Sequence, residues 1–178
     1  MKLIVAVNNN GVIGDKGKMP WLCKEDMRHF QKTTTNNIVI MGRNTFESLG
    51  SKPLPKRYNV ILTSDTSKYK NTKNAFFASS IEQVLEVVEQ RWKKFPESRA
   101  YVIGGQLVYE QFLKKKDLIT EIILTQVWND LDGDAFFELP SGWAIETQKD
   151  LCEEATLYIY RKRSIKKKKR ATRKRKKK

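Results

Sequence analysis

Asp26 stands out among the residues whose types and spacing could do chemistry. It lies beside Met27 and four positions before Phe30, in a segment where Met27, Phe30 and Thr34 recur at helical spacing. A carboxylate that shares or borders a helix's apolar stripe is desolvated, and its pKa is expected above the ~3.9 of a free aspartate unless a cation compensates. Facing a pocket, such a group is suited to grip an amidine-like edge or to assist proton transfer. The plainer reading also fits: an acid in the first helical turn, next to Glu25, favours the helix macrodipole.

Three apolar runs end in loops of one kind. Residues 38–41 lead into Gly42-Arg43-Asn44-Thr45, residues 60–62 into Thr63-Ser64-Asp65, and residues 101–103 into Gly104-Gly105-Gln106. Glycine lets a backbone approach a ligand, and the N–H groups opening a helix receive phosphate. In an open α/β sheet, ligands gather at the carboxyl ends of strands. Arg43 and Ser64 could then clamp an additional phosphate. Ordinary turn chemistry is the alternative for each loop, and no G-x-G-x-x-G pattern with a downstream acid is present, which disfavours a Rossmann site.

Two more segments bear on a cleft. Met19-Pro20-Trp21 closes a stretch rich in Gly, Asn and Lys and reads either as a lid or as a surface loop anchored by tryptophan. Leu54-Pro55-Lys56-Arg57 sets an arginine just past a proline turn, where a guanidinium could take a carboxylate bidentately or could simply be solvated. The two cysteines, Cys23 and Cys152, read as packing thiols and make no metal or disulfide framework. With His29 the single histidine, no catalytic metal is expected.

The elements that must position these residues show in the hydrophobic pattern. Apolar runs at 3–7, 38–41, 60–62, 75–78, 101–103, 122–127 and 157–160 are rich in β-branched and aromatic residues. Several are continuous, as in strands covered on both faces. Helical patterns lie between them: Ile81, Val84, Leu85, Val88 and Trp92 on one stripe, with Ser80 and Gln83 as a capping box, and Val108 and Phe112 after Gly105. The alternation predicts one α/β domain with a mostly parallel sheet of about eight strands and about four helices. The last two strands, near 143–147 and 157–160, have a short connection and are expected to be antiparallel.

A chain of 178 residues suits one domain, and no apolar run reaches the ~20 residues of a membrane helix. The five-residue apolar stretch at 3–7 is too short for a signal-peptide core, so a cytoplasmic, membrane-free protein is expected. Charge is unevenly placed. The net +15 concentrates at residues 161–178, which hold 14 Lys/Arg and no acid, while residues 1–160 hold 21 bases against all 20 acids. The sequence therefore divides into a near-neutral domain at 1–160 and a basic segment at 161–178 expected to be disordered, with Arg161 to Arg163 able to finish the final strand first. Such a segment could bind nucleic acid or another polyanion, direct the protein to a nucleus, steer anionic ligands, or remain a solvated tail.

Together these segments resemble dihydrofolate reductase, from Leu3 to about Arg161. The resemblance rests on Val12-Ile13-Gly14, Met19-Pro20-Trp21 with Asp26, Val39-Ile40-Met41-Gly42-Arg43 with Thr45-Phe46-Glu47-Ser48, Pro53-Leu54-Pro55 with Arg57, Val102-Ile103-Gly104-Gly105 with Tyr109, and the late turn Leu131-Asp132-Gly133-Asp134. It implies NADPH-dependent reduction of 7,8-dihydrofolate by a monomer. Asp26, with Thr125, would hold the pterin edge, and Trp21 would assist protonation. Ile4 and Ile103 carbonyls would line the slot near Tyr109. Met27, Phe30, Leu49 and Leu54 would enclose the aminobenzoyl ring, and Arg57 would pair with the glutamate carboxylate. For the cofactor, Ala6, Ile13, Gly14 and Met19 would meet the nicotinamide. Gly42, Asn44, Thr45, Gly104, Gly105 and Gln106 would meet the pyrophosphate, and Arg43, Thr63 and Ser64 the 2′-phosphate.

Leu107 stands where the family often has an arginine, and Asn44 where it often has a histidine. Ser51-Lys52 adds a residue before Pro53. The competing readings are a reductase of the riboflavin-biosynthesis type, which should lack the Met-Pro-Trp…Asp and Arg57 elements, and a nucleic-acid-binding or nuclear-targeted factor on an incidental enzyme fold. Turnover of dihydrofolate with NADPH separates them.

Overall fold

The structure, a computed structural model, describes residues 1–115 and 117–163. The expected alternation is present, and the two faces of the sheet are visible in the strands themselves. In β1 (Lys2–Val7), Leu3, Val5 and Val7 face one core and Ile4 the other; in β3 (Ile38–Gly42), Ile38 and Ile40 face one and Val39 and Met41 the other. Both faces are covered, which is why these strands read as continuous apolar runs. The chain adds β4 (Tyr58–Leu62), β5 (Ala75–Ala78), β6 (Ala100–Gly104), β7 (Glu121–Val127), β9 (Trp143–Cys152) and β10 (Ala155–Lys162). The eight strands run in the order β5-β4-β3-β6-β1-β7-β10-β9. Neighbours from β5 to β7 pair in parallel, and β10 pairs antiparallel with both β7 and β9.

Helices α3 (Ile81–Lys94) and α4 (Gln106–Lys114) bury Val84, Val88, Val108 and Phe112 in the larger core. Helix α1 (Lys24–Thr34) and the short α2 (Arg43–Ser48) serve the opposite face through Phe30 and Phe46. Ser80 caps α3 as expected, accepting from the Gln83 N–H at 3.2 Å, while the Gln83 side chain reaches the N–H of Ser79 rather than of Ser80. The stripe on α1 differs from the expected one. Its buried residues are Asp26 and Thr34, with Phe30 half-buried between them, whereas Met27 is 54% exposed.

Two short strands escaped the sequence pattern. β2 (Val12–Gly14) pairs antiparallel with β8 (Ala135–Phe136). Buried Asn8 organises this corner. Its amide donates to the Leu131 carbonyl (2.7 Å) and Asn129 Oδ1 (3.1 Å), and its Oδ1 accepts from the N–H groups of Asn10 and Val12 (both 3.0 Å). At the other end, β10 runs to Lys162. Arg161 lies in the strand and pairs with Glu121 (3.1 Å) and Glu146 (2.8 Å), and the Arg163 N–H donates to Gly142. The remaining basic residues, 164–178, lie outside the described residues. Among the described residues no helix is long and apolar enough to cross a membrane.

Gly133 fixes how the loop before β8 docks on β2, because an added Cβ would collide with the Gly14 carbonyl oxygen and Val12 Cγ1. Gly133→Ala is expected to cost about 1–3 kcal/mol, as overpacking does. Chemical denaturation of the two proteins checks this.

Candidate active site

Strands β4, β3, β6, β1 and β7 point the same way, so their carboxyl ends share one edge of the sheet. An opening is built into that edge. β1 pairs with β6 only at Lys2↔Tyr101 and Leu3↔Val102, but with β7 all the way from Lys2 to Val7. Where β1 and β6 part, the Tyr109 hydroxyl donates to the Ile4 carbonyl at 2.8 Å. Tyr109 is buried, and burial pushes its phenol upward in pKa, so it remains a neutral donor. Gly104 fits beside it because a Cβ there would stand 3.0 Å from the ring and would need a φ of +113°. Tyr109 thus supports the slot from beneath.

The α1 side of the opening carries Asp26, 8% exposed. Burial raises its carboxyl pKa, opposed by a hydrogen bond from the Thr125 side chain and by nearby His29. His29 is itself held below its usual range, mainly by burial, so it offers Asp26 little positive charge near neutrality. Ile4, Phe30 and Ile103 pack around the same face, and Leu54 joins Ile103. Met27 on α1 and Leu49 just past α2 present exposed apolar surface.

Arg57 is the second buried charge, 7% exposed. Its Nε donates to Thr34 Oγ1 (2.8 Å) and its NH1 to the Pro55 carbonyl (2.9 Å), and its guanidinium lies 5.8 Å from the Phe30 ring centroid. Thr34 in turn donates to the Phe30 carbonyl at 2.7 Å. Among the described residues no acid pairs with Arg57. Desolvation lowers its pKa somewhat, but a guanidinium so high in range stays charged. Thr34 was visible in the sequence only as a stripe residue; its work of anchoring Arg57 needs the fold.

The glycine loops meet on the other side of the opening. A Cβ on Gly42 would stand 2.9 Å from Val108 Cγ2, and one on Gly105 would stand 3.2 Å from Thr45 Oγ1, so both positions need the bare backbone. The Gly104-Gly105 peptide is cis. Gly105 begins α4 without a side-chain cap, which leaves the first N–H groups of that helix available to an anion. Two side chains of this bay are already engaged within the protein. Gln106 has both ends of its amide occupied, by the Phe136 N–H (2.8 Å) and by Glu110 (3.1 Å), so only its backbone remains for a ligand. Arg43 is exposed and paired with Glu47 at 2.8 Å. Glu47 also accepts from the Tyr69 hydroxyl at 2.7 Å. Thr63 is buried and Ser64 exposed; Asn44 is exposed beside Arg43.

Before Met19-Pro20-Trp21 the chain turns at Asp15 to Lys18, which pair backbone to backbone (2.8 and 2.9 Å), with Asp134 Oδ2 accepting from the Lys16 N–H at 3.1 Å. Met19 beyond this turn is half-exposed. Trp21 and Ala6 pack against the cluster around Cys23, and the buried indole Nε1 of Trp21 has no hydrogen-bond partner among the described residues. Ile13 and Gly14, in β2, are half-buried at the base of the turn.

The fold defines an α/β protein whose parallel sheet opens at its carboxyl edge between a charged trough and a glycine-lined bay, the place where ligands gather in sheets of this class. The family model for dihydrofolate reductase matches residues 1–166. Dihydrofolate reductase HdrB of Haloferax volcanii is 37% identical over 152 residues, spanning 83% of this chain and 76% of that protein. The Haemophilus influenzae dihydrofolate reductase is 39% identical over 135 residues, 76% of each chain. A solved dihydrofolate reductase from Enterococcus faecalis, complexed with NADP(H), aligns with a TM-score of 0.74 and 25% identity over 90% of this chain and 95% of that one. This chain belongs to the dihydrofolate reductase family.

Proposed function

We propose that the protein reduces 7,8-dihydrofolate to 5,6,7,8-tetrahydrofolate at the expense of NADPH, acting as a monomer. The observation that carries this reading is the pair of buried, oppositely charged groups held by one helix. Asp26 lies in the first turn of α1, and Arg57 is fastened to Thr34 eight residues on, roughly 12 Å along a helix axis. An elongated ligand with a guanidine-like edge at one end and a carboxylate at the other answers both. On this reading Asp26, with Thr125, takes the pterin edge, the Ile4 and Ile103 carbonyls line the slot, and Arg57 takes the glutamate α-carboxylate. Met27, Phe30, Leu49 and Leu54 enclose the ring between.

The glycine bay fits a dinucleotide, because Gly42 and Gly105 leave room only for a backbone and α4 opens uncapped. Gly42, Thr45, Gly104, Gly105 and the Gln106 backbone would hold the pyrophosphate with Asn44. Ala6, Ile13, Gly14 and Met19 would hold the nicotinamide end. Arg43, with Thr63 and Ser64, would take the 2′-phosphate after exchanging Glu47 for it. NADPH supplies the hydride delivered to pterin C6. The protein's own part is alignment and electrostatics: Asp26 stabilises the pterin as positive charge develops, and the free indole N–H of Trp21 holds the water that protonates N5.

The basic residues beyond Arg163 support a second contact, with nucleic acid or another polyanion, since each phosphate neutralised by lysine or arginine releases counterions.

Three experiments test these assignments. Asp26→Asn keeps the shape and removes the charge. Losing a hydrogen bond to a charged group costs roughly 1.5–3 kcal/mol, so dihydrofolate turnover should fall steeply while the fold persists, and near-wild-type turnover at neutral pH would refute the role. Arg57→Ala should weaken dihydrofolate binding and leave NADPH affinity nearly unchanged, whereas Arg43→Ala should weaken NADPH and narrow its advantage over NADH. Titration of each variant with each ligand decides this, and weakening of one and the same ligand by both overturns the map. Truncation after Arg163 keeps the Arg161 ion pairs, so turnover should survive while retention on DNA or RNA at low salt disappears. Equal retention by the truncated chain contradicts the polyanion contact.

A further inference from the structure

The two cysteines, 129 positions apart in sequence, meet in space. Cys23 stands at the entry to α1 and Cys152 ends β9; they pack with Val127 and Ala155 in one cluster, against which Ala6 and Trp21 also pack. The two sulfurs and a carboxylate oxygen of Glu25 all lie within 4.8 Å of one another. We infer that Cys23, Cys152 and Glu25 form a site for one soft divalent cation of the zinc class, set behind the cleft wall.

The spacing suits such an ion. Bonds of ~2.0–2.3 Å in tetrahedral geometry put ligand atoms roughly 3.5–3.8 Å apart, which small side-chain rotations reach from here. Thiolates select soft cations over the hard ions that prefer an all-oxygen shell. The surroundings separate this use from a redox one. Reactive thiols sit exposed and beside positive charge. Cys23 is 4% exposed, and the charged side chain beside the two sulfurs, Glu25, is an acid rather than a base. The site thus lacks the exposure and the positive charge of a redox thiol, while it offers a cation two sulfurs and an oxygen. Glu25 is engaged with Arg28 at 3.3 Å on an exposed helix face, an ion pair weak enough to yield. Cys152 and Glu25 are partly exposed, which gives the ion its entry path and leaves a fourth position for water.

The test uses the full chain, reduced with a phosphine and titrated with cadmium chloride and then with zinc chloride. One cadmium per chain should bind, with the ultraviolet thiolate-to-cadmium charge-transfer band, and zinc should displace it. Either ion should raise the melting temperature, since it binds the folded chain alone. Cys152→Ser, at a half-buried position outside the cleft, should fold, turn over as the wild type does, and lose both the band and the thermal shift. Glu25→Gln should keep the band at weaker affinity. Absence of the band at stoichiometric cadmium, two ions bound independently per chain, or an undiminished response in Cys152→Ser each overturns the site.

Discussion

Two charges are withheld from water on one side of this sheet, and neither is neutralised by an ion pair among the described residues. A buried carboxylate or guanidinium is tolerated only when hydrogen bonds or an opposite charge replace its hydration. Asp26 has Thr125 and a mostly neutral His29; Arg57 has one hydroxyl and one carbonyl. Both sets of partners are incomplete, and the rest of the trough is built to keep them so. Helix α1 must enter where β1 and β6 separate, Phe30 must fill the interval between the charges, and the proline turn must deliver Arg57 to the far end of the helix. A ligand that completes both shells recovers in binding what the empty fold gives up in solvation.

The opposite wall works by subtraction. Gly42, Gly104 and Gly105 are places where a side chain would strike Val108, Tyr109 or Thr45. The same omission that lets the strands and α4 close on one another exposes backbone N–H groups to an incoming anion. Tyr109 joins the two walls: its ring lies against Gly104, and its hydroxyl holds the Ile4 carbonyl on the strand next to Asp26's helix.

Much of this was legible in the residues. Strands buried on both faces leave continuous apolar runs, and a carboxylate on an apolar helical stripe announces its own desolvation. The glycine loops declared their carboxyl-edge position once the strands were placed. What stayed hidden has physical reasons. β2 and β8 are three and two residues long, too short to show a period. β9 is exposed along most of its ten residues, so the pattern marked only its beginning. The occupation of Gln106 by Phe136 depends on a contact thirty residues distant. The Arg43–Glu47 pair, by contrast, carried a signal that could have been used, since residues four apart on a helix are neighbours. The meeting of Cys23 with Cys152 follows from the β9–β10 hairpin returning across α1, which no local pattern encodes.

The antiparallel course of β10 has a consequence for anything joined to the chain. Leu157 pairs with Thr125 at the cleft edge, while Arg161 pairs with Glu121 at the opposite edge. The six residue steps from Leu157 to Arg163, nearly all within β10, carry the chain roughly 20 Å from the cleft edge, about two screening lengths at physiological salt. The fold thus provides an insulated attachment point. A label, surface linker or fused domain grafted just past Arg163 would start on the far side of the sheet, its charge largely unfelt at the cleft edge.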